Sequence, residues 1–153
     1  MAEFDYQNVE AWNTSVKLAA AVGRLKIGSN LKASIDAQGH AFEQAGLASA
    51  LIAEASGREG PAQGDLYRDA RGALAQCRSW IHILAAVTNE QDTVFAHELE
   101  LAEHAARQVS AYLRVGAGRL PGGPARGPAP GGSRPPAPGN PRPPVRNQGG
   151  GPR

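Results

Sequence analysis

Sulfur, aromatic rings and, ahead of residue 116, proline are the scarce elements of this sequence. A single cysteine, Cys77, excludes an internal disulfide and makes an oxidising compartment unnecessary. Aromatics make up 5% of the 153 residues, and none lies after residue 115, so the C-terminal part has nothing to stack on nucleic-acid bases. No apolar run approaches the roughly 18 residues of a membrane span, and no basic start leads into an apolar leader segment. No period-two strand pattern occurs, and no glycine-rich phosphate loop follows a strand. A soluble, cytoplasmic, all-α protein is expected.

The last 38 residues, 116–153, lack acids altogether and hold 11 glycines, 11 prolines and 6 arginines. Such a segment buries too little apolar surface to offset its ordering entropy, and a disordered, polyproline-like tail is expected. The first 115 residues carry ten basic and all 14 acidic side chains, so the net +2 of the chain arises from a +6 tail on a −4 body. The folded part is expected within 1–115, which is long enough for four helices of ordinary length.

The chain turns on Ala48 to Trp80. Good helix formers reach Ala55, Gly57 is placed to act as a left-handed cap, and Gly60-Pro61 blocks simple continuation. Asp65 is placed to cap the next helix, whose apolar residues recur at Leu66, Ala70, Ala73, Cys77, Trp80 and Leu84. An antiparallel helical hairpin is predicted. Upstream, helix 1 is predicted from about Asn8 to Gly23, burying Val9, Trp12, Val16 and Ala19 or Ala20. Helix 2, capped by Ser29 or Asn30, is predicted to turn Leu31, Ile35, Phe42, Ala45 and Ile52 inward and to end near Ser56. Gly39 and Gly46 inside it imply close helix approach. Helix 3, Asp65 to about Val87, has a second apolar stripe, Tyr67, Leu74 and Ile81, more than a lone bundle helix needs. Self-association is the simplest cover for it. Thr88, Asn89 and Asp92 offer caps for helix 4, whose apolar surface runs from Val94 and Phe95 to Tyr112 and Leu113.

Few residues carry chemistry. Glu54 and Arg58 stand i,i+4, and Arg71 is placed to reach Glu54 across the hairpin, a structural ion network rather than a ligand site. Four histidines lack both the Glu-x-x-His pairing of di-metal bundles and the His-Glu-x-x-His motif, so no metal or other cofactor is expected. Cys77 falls on a core stripe as a small hydrophobe. Neither catalysis nor a small-molecule substrate is expected. Arg119, Arg126, Arg134, Arg142, Arg146 and Arg153 can each neutralise a phosphate, and Lys17, Arg24, Lys26 and Lys32 cluster at the first helix connection. The tail also suits plain spacing, or docking of Pro135-Pro136-Ala137-Pro138 into an aromatic groove.

Ile52-Ala53-Glu54-Ala55-Ser56-Gly57-Arg58-Glu59, followed by Ala70-Arg71-Gly72-Ala73-Leu74, resembles the paired blocks of the four-helix-bundle proteins encoded by 23S rRNA intervening sequences. That family includes the accessory variability determinant of diversity-generating retroelements. Ala11-Trp12 matches its entry segment, and the resemblance spans roughly residues 4–115. Leu51 replaces its asparagine, Ala55 a glycine, and Gln76 and Arg78 two acids. The resemblance implies an antiparallel up-down four-helix bundle, a bacterial source, five-membered rings, and binding to a reverse transcriptase and its RNA. The body's negative charge favours placing RNA contact on the tail and the Lys17–Lys32 cluster. A protein-interaction adaptor that recruits a partner through the tail is the alternative.

Overall fold

A computed structural model describes residues 6–28 and 30–118, apart from the side chains of 116–118. Among them are four α-helices and no strand: α1 (Glu10–Arg24), α2 (Lys32–Ser56), α3 (Pro61–Thr88) and α4 (Ala96–Gly118). Two 3-10 turns, Tyr6–Asn8 and Asp92–Phe95, lead into α1 and α4. No helix among the described residues is long and apolar enough to cross a membrane. The expected tail begins inside α4, which continues through Gly118, and its six arginines lie outside the described residues.

Several helix ends differ from the sequence expectation. Pro61 opens α3 at its first position, where its missing N–H costs no hydrogen bond, so the helix starts four residues before Asp65. Asp65 instead pairs with Arg68 inside the helix. The left-handed residue of this turn is Gly60, with φ of 68°, whereas Gly57 has φ of −90°. Gln63 takes over part of the cap by donating from Nε2 to the Ala55 carbonyl at 3.1 Å. Asn89, with φ of 57°, closes α3 rather than opening α4, and the Glu90 N–H reaches back to the Ala85 carbonyl at 2.9 Å. The residue before α2 is Leu31, without a side-chain cap, so Asn30 does not serve there and Ser29 lies outside the described residues.

The helices pack in a closed cycle: α1 against α2 and α4, and α3 against α2 and α4. Leu18, Val22, Ile52, Leu74, Ile81, Leu84 and Val109 are fully buried at the centre. The side that α2 turns inward is mostly alanine: Ala37, Ala41, Ala45, Ala48 and Ala55, together with Ser34, Ser49 and Ile52. Small side chains let neighbouring backbones approach. The hydroxyls cost little to bury because they return to their own helix: Ser49 Oγ donates to the Ala45 carbonyl at 3.0 Å, and Ser15 Oγ to that of Ala11 at 2.8 Å.

This packing corrects three expected faces. In α1 the buried set is Ala11, Thr14, Ser15, Leu18 and Val22, while Val16 is exposed and Val9, Trp12 and Ala19 pack only at the margin. In α2, Leu31, Ile35 and Phe42 are 58%, 59% and 49% exposed, leaving only Ala45 and Ile52 of the expected set inside. In α3, the second stripe of Tyr67, Leu74 and Ile81 is buried within the single chain, so it supplies no surface for another copy. Val94 is likewise exposed, although Phe95 beside it is buried.

Candidate nucleic-acid interface

Of the four cations expected around the first connection, the fold brings three together. Lys17 and Arg24 project from α1 and Lys26 from the segment after it, and they share a cleft of about 530 Å³ with His97, Glu98 and Leu101 of α4. Ala20, Ala21 and Leu25 complete its lining. Lys32 is drawn off to Asp36, 2.5 Å away on the exposed side of α2.

The local sequence explains the convergence. Lys17, Ala20, Ala21 and Arg24 recur at steps of three and four, which places them on one side of α1, away from the buried Leu18 and Val22. Arg24 occupies the last turn of α1, where a helix end favours positive charge, and Glu98 the first turn of α4, where it favours negative charge. The connection is tied down by Gln38, whose Nε2 donates to the carbonyls of Val22 at 2.8 Å and Leu25 at 3.0 Å.

Glu98 was not anticipated. The residue is only 7% exposed; its carboxylate forms no hydrogen bond or ion pair with another described side chain, and its oxygens open to the solvent of the cleft. Its signal was present in the sequence: Phe95, Glu98, Ala102, Ala105 and Val109 keep the three–four spacing of a core stripe, with a carboxylate at one core position. A mixed site results. The cations suit phosphate oxygens, and the carboxylate offers an acceptor to a hydroxyl or amino donor.

The expected ion network forms only in part. Arg58 pairs with Glu54 at 3.0 Å, both side chains more than half exposed, while Arg71 is exposed and joins neither. The histidines remain separate. His40 stacks on Trp80 with ring centroids 4.5 Å apart, and His82 Nδ1 lies 3.0 Å from Asp92. Among the described residues no group of three or more His, Cys, Asp or Glu side chains is placed to hold a metal ion. Cys77 is fully buried, and burial pushes its thiol from the ordinary 9.0 up to about 12, the reverse of what a nucleophile needs. A second depression, bordered by Arg78, Ser79, His82 and Ile83, belongs to α3 alone and offers one permanent cation.

No family model, curated protein or solved structure matches this chain.

Proposed function

We propose that this chain is a non-enzymatic helical accessory protein that binds RNA, with the α1–α4 cleft gripping the strand and the arginine tail adding sequence-tolerant affinity. The observation that carries the reading is the convergence of Lys17, Arg24 and Lys26 on one cleft that Glu98 also lines. RNA supplies both partners that this set calls for: phosphates for the cations and 2′-hydroxyl donors for the carboxylate. The tail residues Arg119, Arg126, Arg134, Arg142, Arg146 and Arg153 extend the same electrostatics without a stacking ring.

The same reading places the chain with the 23S rRNA intervening-sequence bundle proteins, on the motif resemblance, with a reverse transcriptase as protein partner. It arranges the helices as an antiparallel up-down bundle. Two helix pairs support that arrangement. Along α2 and α3, His40 meets Trp80 while Ala55 meets Gln63; along α3 and the segment that runs from the Asp92–Phe95 turn into α4, Tyr67 meets Tyr112 while His82 meets Asp92. In each pair the residue numbers rise on one segment as they fall on the other.

The test is filter binding of the full chain to single-stranded RNA across a salt series. Each lost phosphate contact lowers the log–log salt slope by roughly 0.7, so Lys17→Ser/Arg24→Ser/Lys26→Ser reduces it by about 2. Glu98→Ala is expected to narrow the preference for RNA over DNA of the same sequence. Slopes unaffected both by the triple substitution and by serine at all six tail arginines rule the reading out.

A further inference from the structure

The α2 helix carries a feature that its own chain does not account for. Gly39 and Gly46 lie in the middle of an unbroken helix, and a Cβ built on either meets nothing within 4 Å. No neighbouring helix within the chain therefore requires glycine at these positions, and glycine disfavours an exposed helix interior. Both sit on one stripe with the exposed large residues: Leu31, Ile35, Gly39, Phe42 and Gly46 follow one another at steps of four, four, three and four. Gly72 of α3 is similarly open, but its neighbours on that face are Arg68, Asp69 and Gln76, so glycine alone does not make the pattern.

The stripe is its own complement when reversed. Around the midpoint between Gln38 and Gly39, Ile35 mirrors Phe42 and Leu31 mirrors Gly46. A second α2 laid antiparallel thus sets a large side chain against a large one near the centre and a leucine against a glycine at each end. Gly39 at the axis allows the backbones to close, and the Gln38 side chain is held aside by its bonds to the Val22 and Leu25 carbonyls. Charge agrees with shape. Lys32 and Glu43 flank the stripe on the same side, where within the chain they lie against Asp36 and His40, and reversal brings Lys32 of one copy within about 3 Å, along the axis, of Glu43 of the other, so that each exposed pair gains a second opposite charge. The apolar surface also continues onto α1. The Phe42 ring lies 3.2 Å from where a Cβ on Gly23 would stand, and the exposed Val16 is two turns before Gly23 on the same face.

We propose that two copies of this chain associate through α2, antiparallel about a two-fold axis between Gln38 and Gly39, a closure different from the five-membered rings that the motif resemblance implies. The contact is isologous, each copy presenting the same patch. Its single-helix breadth places it among small, reversible interfaces.

Oxidative cross-linking of full-length Gly39→Cys tests the axis directly, because two such thiols meet at the dyad while the native Cys77 is buried. A disulfide-linked dimer forms rapidly if the geometry holds. Arg107→Cys, on the exposed side of α4, serves as the off-axis control. In light scattering coupled to size exclusion at roughly 100 μM, where weak interfaces of this class are populated, the wild type runs as a dimer of the 15.9 kDa chain. Ile35→Asp, at a position already exposed, keeps its helicity by circular dichroism and runs as a monomer. Lys32→Glu or Glu43→Lys alone weakens association about tenfold, and the two together restore most of it. A wild-type monomer at that concentration, a larger oligomer indifferent to Ile35→Asp, or Gly39→Cys cross-linking no faster than the control overturns the proposal.

Discussion

The α2 and α3 helices are neighbours of similar length with opposite arrangements of their large side chains. Leu74, Ile81 and Leu84 of α3 are fully enclosed, whereas Leu31 just before α2 and Ile35 and Phe42 within it face solvent and its alanines face the core. Available room decides this. A helix lying close to two neighbours gains more dispersion contact by presenting alanine and serine than by wedging large side chains between backbones, because interiors are close-packed. The larger side chains of α3 then fill the centre that the α2 alanines leave open. Hydrophobicity ranks residues by their gain on burial, but the space between helices selects which of two competing stripes is buried.

The contrast makes graded predictions. Leu74→Ala should leave a cavity and cost about 2–5 kcal/mol in urea unfolding, while Ile35→Ala in dilute protein should stay within about 0.5 kcal/mol. Comparable losses would erase the distinction between the two helices. A smaller effect concerns pH. Burial raises the Cys77 thiol to about 12, and burial, followed by the charge on Tyr112, raises Tyr67 above 10.0. Both groups are neutral when protonated, and the folded form holds those protons more tightly than the unfolded chain. Their contribution is therefore complete below about pH 9 and declines as pH climbs toward the folded values, by at most about 1.4 kcal/mol per pH unit for each group. Cys77→Ala should make the alkaline decline of stability shallower. An unchanged profile would mean that the thiol is more accessible than its packing indicates.

Much of the helical layout was legible in the sequence. The three–four periodicity located four helices, and the break at Gly57 to Pro61 and the stop before Asp92 placed two of the connections. In α3 both apolar stripes were legible, but not that the single chain buries both: Tyr67, Leu74 and Ile81 are enclosed along with Ala70, Ala73, Cys77 and Leu84. In α2 both Leu31-Ile35-Phe42 and Ala37-Ala41-Ala45-Ala48 keep helical spacing, and sequence periodicity has no term for the distance to the next helix. The cation cluster was legible because Lys17, Arg24 and Lys26 lie close together in the chain. Its fourth wall was not, since Glu98 joins it only through the packing of α1 on α4. The expected Glu54–Arg71 contact failed for a related reason: spacing gives the turn between helices but not their relative rotation, and Arg71 faces solvent.

The orientation of α2 is the point on which the remaining inferences turn, and one paired measurement addresses it. Ile35→Asp and Ala45→Asp are compared by urea unfolding at a concentration low enough to hold the chain monomeric. With the alanine side inward, Ala45→Asp buries an unpaired charge and abolishes cooperative unfolding, while Ile35→Asp shifts stability by less than about 1 kcal/mol. The opposite ranking, with Ile35→Asp unfolding the chain and Ala45→Asp tolerated, would contradict the account.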